Sequence, residues 1–475
     1  MSSPAYAPRI TALIVASATF MGSLDATVIA TSLPQMARSF HLSPVDLSVG
    51  ITVYILVMAA FLPVSTWVAD RLGARTVFAG AVAAFALSSA LCGLSHDLPQ
   101  FVGARVLQAL AATLMAPVGN LVLLRSTEKK DLVSAIAIST TPALVAPVIG
   151  PAIGGFIVTF LAWPWIFFLN IPIAMVGVTL ALRYIPDLRA EERRPFDWMG
   201  FISTGLALAA VIYGLDRISA PGANRLMAGA LVVAGLALGV LAVRHNLLAP
   251  HPLIALSALR RPTFATAALT GGTLVRTPFR ALGFIMPLMF QVGLGMSAFQ
   301  SGILLLGYNG GDLLMKSIAN QTLRRFGFRR SLVVTAVLTA AATASWVLFA
   351  PGTPYWVIFA VMLLSGMARS VLMTGIVSLT FADVPREEIG GATVLSNVLN
   401  QTTGALAIAT AAIILNLNAA ARGAAAGQVG LADCRVALVV MAVIGLCALP
   451  SFLRLSPEAG AEVSGHRLSP RQLSN

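Results

Sequence analysis

The sequence predicts an all-α integral membrane protein whose chain crosses the bilayer through 14 transmembrane helices. Apolar residues make up 57% of the 475 residues and charged residues only 10%, whereas soluble chains carry about 25% charged residues. The apolar residues form blocks of about 20, which is the helix length that crosses a hydrocarbon core. Most Lys and Arg residues lie in short segments between these blocks, so the net charge of +13 indicates membrane topology rather than nucleic-acid binding.

We number the predicted membrane-spanning helices as spans 1 to 14 and place each on one apolar block. A backbone inside hydrocarbon must satisfy its hydrogen bonds within its own segment, so the blocks are predicted to be helices. Span 1 is too long for a signal-peptide core and no small-residue cleavage site ends it, so we expect it to be retained. The spans cover residues 10–33, 46–68, 76–95, 100–124, 133–160, 164–183, 198–215, 226–244, 264–291, 298–320, 330–350, 355–380, 390–417 and 433–453.

The distribution of Lys and Arg predicts the direction of the spans, because short cytoplasmic segments carry an excess of basic residues. If both termini are cytoplasmic, and basic residues at the first or last three positions of a span are counted with the adjoining segment, the inner segments hold 21 of the 31 basic residues, the outer loops hold five, and five lie deeper within spans. Adding or removing one span would destroy this alternation. We therefore predict an even number of crossings with both termini in the cytoplasm.

A short motif in two loops predicts an internal repeat. The loop after span 2 reads DRLGAR at residues 70–75, and the loop after span 10 reads RRFGFRR at residues 324–330. Both contain Arg-x-Gly-x-Arg after the second helix of a half, and transporters are commonly built from such repeats. We predict a six-helix bundle at 1–190, an inserted helix pair at 191–255, a second bundle at 256–455 and a disordered cytoplasmic tail at 456–475.

Asp25 in span 1 and Arg105 in span 4 are ionisable residues at similar predicted depth, which permits a pair. An ionisable side chain at mid-bilayer costs about 2.5–3.5 kcal/mol on insertion scales, so each one requires a reason. Burial favours the protonated carboxyl and a nearby arginine favours the charged one, so a carboxyl between these effects can load and release a proton. A static ion pair that ties the two spans together is the alternative, and both interpretations remain open.

The second half of the sequence carries more basic than acidic residues inside its spans. Arg276 and Arg280 are four residues apart on span 9 and share a face, and Asp312 and Lys316 repeat that spacing on span 10, where they could pair. Arg369 lies in the middle of span 12. These five residues are predicted to line a substrate cavity, and their excess of positive charge favours an acidic substrate. The alternative is that they face aqueous vestibules or backbone carbonyls.

Span 5 concentrates glycine and proline in residues 146–155, which read APVIGPAIGG. Proline removes a backbone donor and kinks a helix, and glycine lets another helix approach closely. Together they predict a bent and tightly packed contact between helices, although Gly and Pro are frequent in membrane helices generally.

Five stretches in chain order resemble motifs of the major facilitator superfamily, and specifically of its fourteen-helix drug:proton antiporter branch. Residues 24–34 (LDATVIATSLP) resemble the first-helix signature of the branch, and residues 70–75 resemble the cytoplasmic gating motif of the superfamily. Residues 105–108 (RVLQ) are similar to the helix 4 motif, residues 150–155 (GPAIGG) to the antiporter signature of helix 5, and residues 163–172 (WPWIFFLNIP) to the start of helix 6. The resemblance covers nearly the whole chain.

The resemblance implies the major-facilitator fold, with two six-helix bundles plus two inserted helices, and it implies three sets of functional residues. The proton-coupling residues would be Asp25 and Arg105. The cytoplasmic gate would consist of Asp70, Arg71, Gly73 and Arg75. The antiporter helix would use Pro147, Gly150, Pro151, Gly154 and Gly155.

With this resemblance, the chain is expected to be a proton-coupled secondary transporter that exports small amphipathic compounds by alternating access. It would lie in the bacterial inner membrane as a monomer that handles small molecules and protons, without a metal, a cofactor or a nucleic-acid partner.

Three alternatives remain. The same fold could export or import one small organic anion or another metabolite. An integral membrane enzyme would need a nucleophile–base set or metal ligands, yet the acidic clusters at residues 187–197 and 383–388 lie in mixed-charge loops. A non-transporting sensor is expected to carry an added soluble domain, and no predicted inner loop exceeds about 20 residues.

Overall fold

The computed structural model describes residues 8–127, 131–186, 195–219, 224–250, 252–424, 428–456 and 458–464, and within these ranges it contains helices and no β-strand. The first eight helices form the first half. They are α1 (Pro8–Ser39), α2 (Ser48–Phe61), α3 (Val64–Leu72), α4 (Ala74–Gly93), α5 (Leu98–Ser126), α6 (Leu132–Phe160), α7 (Trp165–Phe168) and α8 (Asn170–Tyr184).

Two helices follow the first half, and eight more complete the described chain. The pair is α9 (Trp198–Ser219) and α10 (Arg225–Leu248). The remaining helices are α11 (Pro262–Phe264), α12 (Gly271–Leu288), α13 (Ala298–Ser345), α14 (Tyr355–Thr380), α15 (Ile389–Ala421), α16 (Leu431–Leu446), α17 (Leu449–Leu453) and α18 (Ala461–Ser464). Two π-helical turns, Ala265–Leu269 and Met289–Gly293, flank α12, and 3₁₀ turns lie at Ser257–Arg260, Trp346–Leu348 and Arg386–Glu388.

Eleven helices of the described chain are long and apolar enough to cross a membrane. One of them is α13 with its 3₁₀ extension, which the sequence divides into spans 10 and 11, and its backbone breaks at Gly327 with φ 73°. Span 2 instead appears as α2 and α3, separated at Pro63, because proline lacks the backbone donor that would continue the helix. Span 9 is divided among α11, α12 and the two π-helical turns.

The two glycines of the repeated loop motif adopt related backbone conformations. Gly73 has φ 90° and ψ 133° between α3 and α4, and Gly327 has φ 73° and ψ 168° inside α13. Glycine enters the positive-φ region readily because it has no Cβ. Glycine therefore makes the same kind of turn in both copies of the motif.

We name the two ends of the helical bundle by the course of α1. The proximal face is the end where α1 begins, and it includes the α3–α4 turn, where Asp70 pairs with Arg125 at the end of α5. The distal face is the end where α1 finishes, and there Ser39 accepts a hydrogen bond from Trp163.

The two halves share one hydrophobic core on the distal side and have separate cores on the proximal side. The distal core combines first-half residues such as Met36 and Phe101 with second-half residues such as Phe290 and Trp346. On the proximal side, one core contains only first-half residues around Phe78 and Phe85, and another contains only second-half residues around Phe328. The halves therefore share a large core distally, whereas on the proximal side Leu62, between α2 and α3, packs against a further second-half core around Phe264 and Leu395.

The helix pair α9–α10 lies beside the line where the halves meet. Phe201 of α9 packs edge-on against Phe61 of α2 with ring centroids 5.1 Å apart, and α9 also contacts α15 of the second half. Asp197, just before α9, accepts hydrogen bonds from the backbone N–H groups of Gly200 and Leu253 and lies 2.8 Å from Nε2 of His245. Burial acts to raise the pKa of Asp197, but these hydrogen bonds hold it below its usual value.

Candidate functional site

A central cavity of about 440 Å³ lies between the halves. Its wall is built by α1, α2, α5 and α6 from one half and by α12, α13, α14 and α15 from the other. The volume falls within the range of ordinary small-molecule sites, about 300–1,000 Å³. Three arginines, Arg105, Arg280 and Arg369, belong to the wall.

Asp25 and Arg105 form a buried ion pair, with Nη1 of Arg105 2.8 Å from Oδ2 of Asp25. The exposed fractions of the two side chains are only 2% and 1%. The predicted contact between the first span and the fourth is therefore present.

Gln108, Asn170 and Ser89 complete the polar cluster around Asp25. Gln108 donates to Oδ1 of Asp25 at 2.9 Å and to Oγ of Ser89 at 2.6 Å. Asn170 at the start of α8 donates to the same Asp25 oxygen at 3.3 Å and to Ser89 at 3.0 Å. Sequence reasoning gave these residues no role, although Gln108 and Asn170 stand inside the quoted motifs and are polar residues in apolar spans. Three donors thus hold the Asp25 carboxylate.

Tyr54 of α2 packs against Arg105 at the wall of the cavity. The Arg105 guanidinium lies 4.0 Å from the centre of the Tyr54 ring, a cation–π distance. Arg105 and Tyr54 line the cavity, whereas Asp25 does not. A change in the charge of Asp25 would therefore reach the cavity through Arg105.

Arg369 in the second half is held by Asp312, with Nη2 2.7 Å from Oδ2. Its guanidinium also lies 4.5 Å from the Phe279 ring centre and 4.4 Å from the Tyr308 ring centre. The sequence suggested that Asp312 could pair with Lys316, but its ion pair is with Arg369, because α14 packs against α13 at this level and Ser370 donates to the Asp312 carbonyl. Sequence spacing does not reveal a partner on another helix.

The other predicted cavity residues have different positions. Arg280 lines the cavity, whereas Arg276, Asp312 and Lys316 are not part of its wall. Arg276 donates from Nη1 to the Ala267 carbonyl in the π-helical turn before α12, at 3.0 Å. Two arginines that share a helix face therefore have different environments.

The glycines of α6 lie at contacts with two other helices. A Cβ on Gly150 would collide with Oγ1 of Thr27 in α1, and a Cβ on Gly154 would lie 2.9 Å from the Val28 carbonyl oxygen of the same helix. A Cβ on Gly155 would collide with the Ala298 backbone at the start of α13. These residues let α6 pack closely against α1 and, across the two halves, against α13.

Pro151 creates a second connection between α6 and α13. A residue at position 151 would normally donate its N–H to the carbonyl of residue 147, but proline has none. Nδ2 of Asn309 in α13 donates to the Pro147 carbonyl instead, at 2.9 Å. Nearer the distal face, Phe299 N–H donates to Thr159, and Gln291 donates to the Thr31 carbonyl at 3.0 Å. Polar contacts thus reinforce the distal closure.

The cavity opens toward the proximal face. Toward the proximal end, the face of α6 that contacts α13 continues with Leu144 and Thr140. The facing side of α13 continues with Ser317 and Asn320. All four of these residues are exposed. Helices α6 and α13 therefore separate on the proximal side of their contact.

The predicted gate residues lie on the proximal face. Asp70 pairs with Arg125 of α5 at 2.9 Å, and about a third of each side chain is exposed. Arg71 lies 4.5 Å from the centre of the Trp67 ring, and Arg75 is partly buried just after the Gly73 turn.

Comparisons with known proteins agree with this architecture. The sequence profile of the family described as Major Facilitator Superfamily matches residues 15–408. The chain is 33% identical over 404 residues to MdtD of Citrobacter koseri, a protein named for multidrug resistance, and the match covers 85% of each chain. MdtD of Cronobacter sakazakii is 34% identical over 402 residues, again covering 85% of each chain.

Two solved structures share the fold at low sequence identity. One is a bacterial homolog of the human lysosomal transporter Spinster in an inward-facing, occupied conformation, with a TM-score of 0.67, 16% identity, and coverage of 99% of this chain and 100% of that chain. The other is a POT family transporter in complex with 5-aminolevulinic acid, with a TM-score of 0.68, 12% identity, and coverage of 94% and 96%.

Proposed function

This chain belongs to the major facilitator superfamily, and on that premise we propose that it is a proton-coupled exporter of small amphipathic compounds. The family consists of transporters rather than enzymes, and the apolar helices and the relatives indicate a multi-pass inner-membrane protein. The resemblance to proteins named for multidrug resistance supports efflux as the direction of transport.

The observation that carries the proposal is the buried Asp25 carboxylate beside the cavity wall. In this conformation its oxygens accept hydrogen bonds from Arg105, Gln108 and Asn170. A proton that arrived on Asp25 would weaken its attraction to Arg105, which lines the cavity. Proton binding and substrate binding would then favour different arrangements of the halves, which is the linkage that antiport requires.

The proposed topology has 14 spans with the proximal face in the cytoplasm. The 11 long helices become 14 crossings if α13 is divided at Gly327, if α2 and α3 form one crossing, and if α12 with its flanking turns forms another. The excess of Lys and Arg in the proximal segments supports this direction. The described conformation is then the inward-open one, in which substrate enters from the cytoplasm or the inner leaflet.

The inner gate would act in the opposite conformation. Asp70, Arg71 and Arg75 lie at the proximal end of the first half, around the turn at Gly73. We propose that these side chains help to hold the proximal face closed when the distal face opens.

The test is the substrate-induced release of protons in everted membrane vesicles from cells that express the transporter. In wild-type vesicles, an exported compound should dissipate an imposed pH gradient. Asp25→Asn should remove this response in vesicles adjusted to contain the same amount of transporter. Asp46→Asn changes a carboxylate that bonds Ser43 in the α1–α2 loop and serves as the control. Wild-type proton release in the Asp25→Asn vesicles would contradict the proposal.

A further inference from the structure

The charge balance of the central cavity identifies an arginine without a counter-charge. Arg105 is neutralised by Asp25 and Arg369 by Asp312. Arg280, the third arginine of the wall, has no ion pair or hydrogen bond with any residue that the structure describes. The described wall contains no carboxylate of its own, so Arg280 gives the site one unbalanced positive charge.

Arg280 is partly buried, and one edge of its guanidinium is enclosed by the protein. Its Nε is buried without a partner. A Cβ on Gly404 of α15 would lie 3.7 Å from this Nε and 3.5 Å from Ile55 of α2, so Arg280 is held at a contact between the halves. An uncompensated charge in such a place is destabilising, and an anion in the cavity would relieve that cost.

Arg276 shows that an arginine on α12 can be satisfied inside the protein. It lies one turn before Arg280 and bonds the Ala267 carbonyl. Arg280 has no such carbonyl partner within the described residues. The difference indicates that Arg280 is available to a ligand and is not simply a structural basic residue.

The remaining wall of the cavity is mainly apolar and aromatic. It includes Phe279, Phe284, Tyr308, Met115 and Ile408. Aromatic rings and flexible Met side chains accept apolar bodies of various shapes. The only uncharged polar groups in the described wall are a few hydroxyl and amide side chains from Thr19, Ser23, Thr27, Tyr54, Tyr308, Asn309 and Gln401.

We propose that the cargo is an amphipathic organic anion, with one apolar body and one carboxylate or sulfonate group, and that Arg280 binds the anionic group. A guanidinium presents N–H donors in a fork that matches these oxyanions. Among the residues that the structure describes, a single arginine of the wall lacks a carboxylate partner, so the site favours a monoanion over a polyanion. This inference rests on the proposed function, because it names the cargo class of that same cavity.

The charge of the cargo has a consequence for energy coupling. If one proton enters for each monoanion that leaves, two elementary charges move in the direction favoured by a membrane potential that is negative inside. An imposed potential should therefore accelerate export even without a pH gradient. Exchange of one monovalent cation for one proton would be electroneutral and would not respond.

The experiment measures binding of three matched naphthalene probes to the purified full-length transporter by isothermal titration calorimetry. The probes are 1-naphthoate (anion), 1-naphthylmethylammonium (cation) and 1-naphthalenemethanol (neutral). We expect 1-naphthoate to bind tightest. Arg280→Gln should weaken its binding about 10- to 100-fold, because a charged hydrogen-bonded contact is lost, and should leave the neutral probe unchanged. Arg280→Lys should retain part of the preference.

Arg435→Gln is the matched control, since Arg435 is a partly buried membrane arginine that bonds the Phe349 carbonyl outside the cavity. It should keep the preference for 1-naphthoate. Binding of the neutral probe to Arg280→Gln shows that the variant is folded. Equal binding of the three probes, tighter binding of the cation, or an unchanged affinity of Arg280→Gln for 1-naphthoate would overturn the proposal.

Vesicle assays with the same probes separate this inference from the proposed function. Proton release induced by the cation but not by the anion would leave proton-coupled export intact and refute the anionic cargo. Arg280-dependent binding of 1-naphthoate without any proton movement would support the anion site and refute proton coupling.

Discussion

Asp25 and Asp312 are both paired with an arginine, yet their carboxylates are satisfied to different degrees. Both oxygens of Asp25 accept hydrogen bonds, from Arg105, Gln108 and Asn170. Asp312 bonds Arg369 through Oδ2, whereas its buried Oδ1 has no partner within the described residues. The Asp25 carboxylate therefore has three donors, whereas the Asp312 carboxylate has one.

Replacing Asp312 by Asn should destabilise the protein, because Arg369 would keep its buried charge without a counter-charge. Breaking a buried ion pair in this way costs about 3–5 kcal/mol. Thermal unfolding of the purified protein in detergent, followed by tryptophan fluorescence, should show a clear decrease in the midpoint. Lys316→Gln, one turn later on α13, is the control and should have a much smaller effect. Equal midpoints for the two variants would show that the ion pair contributes little.

At the scale of elements, α6 contacts the two halves through different residues of one short segment. Gly150 and Gly154 allow contact with α1, whereas Gly155 and the Pro147 carbonyl contact α13. Helix α6 therefore packs within the first half and also forms the first-half side of the distal contact with α13.

Gly155→Ala should weaken the distal closure, because the new Cβ would meet the Ala298 backbone. Overpacking of this kind costs about 1–3 kcal/mol, and separation of α6 from α13 relieves it. Spin labels are attached at positions 96 and 351, which are exposed on the distal face, in a variant without native cysteines. Double electron–electron resonance should then show a larger population with the longer distance between the two labels. Gly310→Ala, where a Cβ meets nothing within 4 Å, is the control. An unchanged distance distribution would exclude a gating role for this contact.

Sequence reasoning was most successful for features that one segment determines alone. The apolar blocks predicted the helices. The two Arg-x-Gly-x-Arg loops, from which an internal repeat was predicted, both turn at a glycine with positive φ, Gly73 and Gly327. It was less successful where a feature depends on contact between distant segments. The pairing of Asp312 with Arg369 requires the packing of α13 on α14. Predicted spans 10 and 11 appear as the single helix α13, because the turn between them at Gly327 is so short.

The candidate site shows the same limit. Asp25 and Arg105 could be predicted because charged residues are rare in apolar spans. Gln108, Asn170 and Ser89 were missed because uncharged polar residues are common in such spans and acquire a role only through their neighbours. The availability of Arg280 could not be predicted either, because Arg276 has the same chemistry on the same face and differs only in what surrounds it.

At the scale of the whole molecule, the proposed direction of the chain makes a prediction about both faces. Cysteines introduced at position 76 on the proximal face and position 96 on the distal face would both be exposed. A membrane-impermeant maleimide added to intact cells should label only His96→Cys, and Thr76→Cys should react after permeabilisation. Native Cys447, which is exposed, is first replaced by Ser. The reverse pattern would contradict a cytoplasmic proximal face, and labelling of both positions in intact cells would contradict the topology.

The missing N–H of Pro151 determines where solvent must enter when the distal face opens. In the closed arrangement, Asn309 from the opposite half supplies the donor that α6 cannot supply to the Pro147 carbonyl. Once the halves separate, that oxygen is left inside the membrane without a donor, and leaving it unsatisfied costs several kcal/mol. In the proposed transport cycle, a water molecule would take the place of Asn309, so that opening of the distal face would hydrate the centre of the transporter from the distal side.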